Sequence, residues 1–400
     1  MSPRSDHRDP GADSGAGVLE SRLLQIARNE FADDYWARRA LLTRGADDFS
    51  DLFSAAAVDE LISRRGLRAP FLRVAKEGRT LPDTSFTAGA GVGASIDDQL
   101  DDTALWRHFA DGATLVLQAL HRTWQPIADF SSRLGTELGH PVQANAYITP
   151  PQNRGFDDHY DVHDVFVLQI SGTKRWIIHK PVHPDPLRDQ PWTERSAEVA
   201  EAARGEAMID TVLRPGDALY LPRGWLHAAQ AQGEVSIHLT LGIHNWTRYA
   251  VAEQLAQAAL ARLRDDPAMR ATLPLGTTGP DDQLDAVRTA LTAALAEADP
   301  APAFRRTRRG QARPAPLGPL AQLAALDALD EATPIRLREA LDASLDGNRL
   351  NTRVGWLDLP DTDLERVRRL LDGRSVVAGD LGIDLARRLL RSGVALPDDR

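Results

Sequence analysis

The spacing of apolar residues changes period along this chain, and the changes mark its elements. Residues 18–45 place Leu19, Leu23, Leu24 and Ile26 ahead of Phe31, Tyr35 and Trp36. Residues 50–63 follow with Leu52, Phe53, Val58, Leu61 and Ile62. Both stretches have helical spacing. Residues 71–74 and 113–117 predict short strands, 124–138 a helix, and 141–148 a strand that stops at Pro150-Pro151. Next comes a near-continuous apolar run, Val165-Phe166-Val167-Leu168-Gln169-Ile170, which predicts a buried strand. Strand candidates at 174–179, 207–213, 218–221, 226–230 and 234–243 come after it. Ser171-Gly172-Thr173, a proline-rich loop through Pro181, Pro184, Pro186 and Pro191, Pro215-Gly216-Asp217 and Pro222-Arg223-Gly224 separate them. Many short strands at this spacing predict a β-sandwich or barrel.

Past Asn245 the helical period returns. Val251, Leu255, Ala258 and Ala259 mark one face, and Leu284, Val287, Leu291 and Leu295 another. Residues 299–319 are rich in proline and arginine (Arg305, Arg306, Arg308, Arg309, Arg313) and predict a solvated linker. Beyond residue 334, short strands at 335–341, 349–353 and 355–359 precede helices at 361–371 and 384–391, a small α+β pattern that suits a winged helix. The expected division is a disordered tail (1–17), a catalytic domain with N-terminal helices (18–246), a helical segment (247–298), a linker (299–319) and a winged-helix-like domain (320–400).

Composition narrows the chemistry. The absence of cysteine removes disulfides, thiolate ligands, Fe–S clusters and a thiol nucleophile, so any metal must rest on histidine and carboxylate. A net charge of −10 argues against general nucleic-acid binding. Residues 334–400 balance their arginines with acids, so no direct DNA contact is expected and protein contact or dimer support is the better expectation. No apolar run approaches a membrane span, and the start of the chain has no signal-peptide core, which predicts a cytoplasmic protein.

The entrance to the first barrel strand reads Asp158-His159-Tyr160-Asp161-Val162-His163-Asp164. A core strand has no packing reason to carry these groups. His159 and Asp161 are two apart and share a face if the strand has begun there. His227, after the turn at Pro222-Arg223-Gly224, supplies a third donor. Two imidazoles and one carboxylate on one side of a metal match the open facial site of non-haem iron oxygenases, and zinc could use the same donors. Lys174, one strand further on, could pair with a dicarboxylate. His163 is an alternative ligand by its offset from His159. His238 is either a satisfied core histidine or a pocket residue. Asp157 and Asp158 would suit a basic peptide at the rim.

Taken together, His159-x-Asp161-x-His163-Asp164, Gly172-x-Lys174-Arg175-Trp176 and Pro222-Arg223-Gly224-x-x-His227 resemble the JmjC/cupin ribosomal oxygenases. Tyr35-Trp36-x-x-Arg38, Asp51-Leu52-Phe53-Ser54 and Asn145-x-Tyr147-Ile148-Thr149-Pro150 extend the likeness upstream. The departures from the general cupin motifs, Asp161 where a second histidine is usual and Ala231 where asparagine is common, favour the oxygenase. The resemblance implies an α+β chain with a double-stranded β-helix core, N-terminal helices, a helical dimerisation-like segment and a winged-helix-like C-terminus. It implies Fe(II) on His159, Asp161 and His227, with Lys174 holding the distal carboxylate of 2-oxoglutarate and Asn145 and Tyr147 lining the same pocket. His163 then falls outside the ligand set. The implied reaction uses O2 to hydroxylate a protein side chain, an arginine or histidine of a ribosomal protein, in a homodimer. The alternatives are an oxygenase acting on another peptide or a small molecule, and a non-catalytic module whose triad binds metal structurally.

Overall fold

The structure is a computed structural model, and it describes residues 17–398 apart from 94, 152, 154, 155, 312 and 313. All but the last residue of the expected disordered tail lies outside the described residues. The chain divides into two compact units at Asn245.

Thirteen strands belong to the first unit. They are β1 (Leu41–Thr43), β2 (Leu72–Lys76), β3 (Arg79–Thr80), β4 (Thr87–Ala88), β5 (Gln99–Leu100), β6 (Thr114–Leu117), β7 (Val142–Thr149), β8 (Asp164–Ser171), β9 (Lys174–His179), β10 (Ile209–Leu213), β11 (Ala218–Leu221), β12 (Leu226–Ala231) and β13 (Ser236–Ile243). Eight form one antiparallel sheet in the order β1-β11-β8-β13-β7-β6-β2-β3, and three form a smaller sheet in the order β10-β9-β12. β4 and β5 make a separate ribbon. This is the double-stranded β-helix that the strand spacing and the resemblance led us to expect.

Period-2 alternation gives each sheet two distinct faces. Leu115, Ile148, Ile237, Leu239 and Leu241 join the main core with Leu19, Leu23, Phe31, Phe53 and Leu61 from the N-terminal segment. Val165, Val167, Trp176, Ile178, Leu219 and Leu221 form a second core. Thr114, Tyr147 and His238 take the alternate positions of their strands and line a pocket. Ser54 caps the helix Ala55–Arg64 by accepting from the Ala57 amide at 3.2 Å. Gly139 ends the helix Gln125–Leu138 at φ 71°.

Two readings of this unit change. Residues 41–43, expected to be helical, pair with β11 as Leu41↔Tyr220 and Thr43↔Ala218, because edge pairing overrides a weak local preference. The proline-rich loop contains the helix Ser196–Ala202, whose Val199 packs with Tyr160 and Leu226.

In the second unit, helices Arg248–Asp265 and Asp281–Glu297 match the two apolar faces expected there. The helix Ala301–Gln311 replaces the expected linker. Phe304 packs against Trp246 with ring centroids 4.9 Å apart, an anchor that composition alone does not show. Helices Pro319–Asp327, Leu364–Leu371 and Ile383–Arg391 surround a core of Ile335, Val367, Leu370, Leu385 and Leu389. The strand triplet Ser344–Asp346, Arg349–Thr352 and Gly355–Asp358 forms the wing of a winged-helix-like fold.

Candidate metal centre and pocket

His159 lies upstream of β8, on an isolated bridge to His227 at the start of β12. The His159 amide donates to the His227 carbonyl at 3.2 Å, and the His227 amide returns a bond of 2.8 Å to the His159 carbonyl. The imidazoles therefore stand side by side, with centroids 4.4 Å apart. The Asp161 carbonyl accepts from the Gly224 amide at 2.9 Å, which ties the His-x-Asp segment to the turn before His227. One ligand atom from each of His159, Asp161 and His227 lies within 4.8 Å of the others. Among the described residues this is the one group of three such side chains close enough to share an ion.

The donors suit a divalent cation. Each histidine Nδ1 faces a main-chain carbonyl, Asp157 at 2.7 Å for His159 and Trp225 at 3.0 Å for His227. A carbonyl only accepts, so each Nδ1 carries a proton and Nε2 is the nitrogen left to face a metal. Burial, with His159 beside it, lowers the His227 pKa to about 4, and neutral imidazole is the ligating form. Burial pushes the Asp161 carboxyl upward. His163, His227, His159 and Arg73 outweigh that push and hold it below its ordinary value, so it is anionic. His227 Nε2 sits 3.8 Å from Asp161 Oδ2.

Asp164 positions the same turn. It is buried and receives the Tyr220 hydroxyl and the Arg223 amide, the latter at 3.0 Å. The Ala37 amide donates to the Tyr220 oxygen at 2.9 Å, so the N-terminal segment supports this clasp as well.

The pocket below the triad is lined by Thr114, Tyr147, Phe156, Val165, Val167, Lys174, Trp176, Ala229, His238 and Thr240 as well as by the three candidate ligands. β9 and β12 pair as Ile178↔His227, Trp176↔Ala229 and Lys174↔Ala231, so Lys174 lies two rungs of the inner face beyond His227. Lys174 is 3% exposed and donates to Thr149 Oγ1 at 3.0 Å. Thr149 in turn accepts from Thr114 Oγ1 at 3.2 Å. Burial lowers the Lys174 pKa to about 7, and among the described residues no carboxylate pairs with it. Gln169 Nε2 donates to the carbonyls of Ser171 and Gly172 and so fixes the turn that delivers Lys174.

The structure brings His159, Asp161, His227, Lys174 and Tyr147 together. Asn145 does not line the pocket; its side-chain carbonyl accepts from the Ala119 amide at 3.0 Å. His163 lies outside the three-residue group, its ring 5.5 Å from that of His244. Sequence reasoning missed Thr149 as the partner of Lys174 and Thr114 behind it, and also Arg73, whose guanidinium lies over the Phe156 ring and reaches the Tyr147 hydroxyl at 3.5 Å. A threonine and an arginine on separate strands carry no local motif. Only the strand order adds them to the site.

A model of the JmjC domain matches residues 102–251. The bifunctional lysine-specific demethylase and histidyl-hydroxylase NO66 of Drosophila erecta is 30% identical over 287 residues, 69% of this chain and 41% of that protein. Ribosomal oxygenase 1 of Gallus gallus is 30% identical over 278 residues, 67% of this chain and 44% of that protein. Residues 102–251 are a JmjC domain, and the chain is similar to the ribosomal oxygenases. Its match spans less than half the length of these curated JmjC relatives. The solved structure of the Escherichia coli ribosomal oxygenase YcfD in complex with cobalt and 2-oxoglutarate has the same fold, with TM-score 0.56 at 17% identity. That match covers 94% of this chain and 99% of YcfD.

Proposed function

We propose that this JmjC protein is an Fe(II)- and 2-oxoglutarate-dependent oxygenase that hydroxylates a protein side chain, an arginine or histidine of a ribosomal protein. One observation carries the reading. Three donors that can share one metal stand over a pocket whose wall holds a buried lysine with no carboxylate partner among the described residues. A dicarboxylate joins these features, one end at the metal and the other at Lys174. The names of NO66 and ribosomal oxygenase 1, and the 2-oxoglutarate in the YcfD complex, support it.

In this reading His159, Asp161 and His227 hold the iron. Iron supplies the oxidising chemistry when bound together with the 2-oxo acid and O2. The chain's own residues bind and orient. Lys174 neutralises the distal carboxylate, and the Thr149 hydroxyl fixes the amine. Tyr147 forms a wall of the pocket. Asn145 fixes the turn at Ala119 and is assigned no contact with the co-substrate. Main-chain carbonyls hold both imidazoles in one tautomer, so metal binding needs no rearrangement of the ligands.

The test is uncoupled turnover. Purified protein with Fe(II), ascorbate, O2 and 2-oxoglutarate should release succinate, and His227→Ala should not. Metal binding without succinate under any condition would leave the triad a structural metal site. The protein target is read by mass: intact ribosomal proteins from wild-type and deletion cells should differ by one oxygen. A homodimer formed through the helices after Asn245 is part of the proposal and is read by sedimentation.

A further inference from the structure

His238 is a buried polar group for which the proposed site has no use so far. It stands on β13 opposite Tyr147 of β7 and is 3% exposed. Its ring stacks on Tyr147, with centroids 4.8 Å apart and planes 4° from parallel. It forms a T-shaped contact with Trp176, with centroids 5.4 Å apart and planes at 81°. Two aromatic walls thus fix the plane of the imidazole. No described residue hydrogen-bonds to either ring nitrogen, and Nδ1 is fully buried without a partner. His238 also lines the pocket that holds Lys174 and the triad.

This arrangement is costly for a residue that only packs. A buried donor or acceptor left unsatisfied costs about 1–3 kcal/mol. A phenylalanine would keep the stack on Tyr147 and the edge contact with Trp176 without that penalty. The polar edge is therefore meant for something that enters the pocket.

The rungs of the two sheets say where that something lies. On the small sheet, Trp176 sits between Ile178, paired with His227, and Lys174. Trp176 is the residue that His238 touches, so His238 flanks the middle of the path from the metal ligands to the buried amine.

Resting on the co-substrate reading above, we propose that His238 is a co-substrate-positioning residue, whose imidazole N–H donates a hydrogen bond to a carboxylate oxygen of the bound 2-oxo acid. Burial, with Lys174 and His227 close by, keeps the pKa of this ring well below 6.5. A neutral imidazole gives one donor without adding a second charge beside Lys174. The pocket would then hold its ligand by a cation at one end and a fixed neutral donor along its side.

The test compares His238→Phe, which keeps the aromatic packing, with His238→Asn, which restores a donor. Calorimetry under argon on cobalt-loaded full-length protein gives the 2-oxoglutarate dissociation constant, and a separate titration gives that of cobalt. Loss of a hydrogen bond to a charged group should weaken 2-oxoglutarate binding about ten- to a hundred-fold in His238→Phe. Cobalt affinity should hold, and His238→Asn should recover part of the loss. In uncoupled turnover the KM for 2-oxoglutarate should rise more than kcat falls. Wild-type 2-oxoglutarate affinity in His238→Phe, with Lys174→Ala still weakened, would make His238 a packing residue and overturn the proposal while leaving the co-substrate reading intact. If wild-type protein binds no 2-oxoglutarate, both fall together. If His238→Phe does not fold, His238→Leu, which also lacks a donor, is measured in its place: 2-oxoglutarate binding weakened about ten-fold or more supports the proposal, and wild-type affinity overturns it.

Discussion

His159 and His227 meet on one antiparallel rung, each main-chain amide donating to the other's carbonyl. Their spacing is set by the backbone and not by the side chains. His159→Ala should therefore keep the fold while losing the metal. In thermal or urea unfolding, wild-type protein should gain about 2.7 kcal/mol at a cobalt concentration a hundredfold above its dissociation constant. The variant should gain almost nothing at that concentration, with an unchanged metal-free midpoint. An equal gain in both proteins would remove His159 from the ligand set.

Lys174 links stability to pH. Its folded pKa is about 7, below the ordinary 10.5, so between these values the unfolded chain binds a proton that the folded chain has released. Stability rises with pH through that window, and the full cost of charging the buried amine is present below it. The gap corresponds to a cost on the order of 5 kcal/mol. Lys174→Met should stabilise the ligand-free protein by a few kcal/mol at pH 6, and the gain should shrink toward pH 10. At pH 8, 2-oxoglutarate binding should take up about one proton, measured by calorimetry in buffers of different ionisation enthalpy. The methionine variant should take up none.

Two glycines feed the two ends of the pocket. Gly172 has φ 62°, and a Cβ there would lie 2.1 Å from the Val235 carbonyl oxygen. Gly224 has φ 84°, and its Cβ would lie 2.6 Å from the His183 carbonyl oxygen. Gly172→Ala should weaken 2-oxoglutarate binding by moving Lys174, and Gly224→Ala should weaken metal binding by moving His227. Each should also lose more than about 1–2 kcal/mol of stability. Calorimetry with each ligand separates them.

Asp164→Ala strands the buried Tyr220 hydroxyl and the Arg223 amide. A loss of about 3 kcal/mol in urea unfolding is expected, since hydrogen bonds to a charged acceptor contribute about 1.5–3 kcal/mol each and do not add in full. Cobalt affinity should fall as well, because the Pro222-Arg223-Gly224 turn is no longer held. Unchanged metal affinity would show that the turn keeps its shape without the carboxylate.

Much of this site could be read before the fold was known. The His-x-Asp pair, Lys174 after a glycine turn and His227 after a second one are local patterns; Lys174 and His227 sit where strands begin, and the His-x-Asp pair lies just upstream of one. The barrel strands were legible because their side chains alternate or are buried on both faces. Residues 41–43 and 301–311 were misread for one reason: distant partners decide them, Tyr220 and Ala218 for the strand, and Trp246 for Phe304 of the helix. The Thr149–Thr114 pair escaped for the same reason, since a hydroxyl on a strand is informative only once the facing lysine is known. Asn145 shares a face with Tyr147, yet its amide is taken up by Ala119. Alternation gives the face of a side chain and says nothing of which neighbour holds it.

The alternation of β7 against β13 has a consequence for how this site can change. Tyr147 pairs with His238 and Thr149 with Ser236, while Ile148 pairs with Ile237 on the opposite face. A slip of one residue would exchange the two sets, turning the tyrosine and threonine into the apolar core and the isoleucine toward the lysine. An insertion or deletion inside these strands would therefore have to be absorbed by a bulge, as in the register shift between β13 and β8 at Ile237 and His238. The site's reactivity is altered most simply by exchanging side chains in place or by rebuilding the loops between strands.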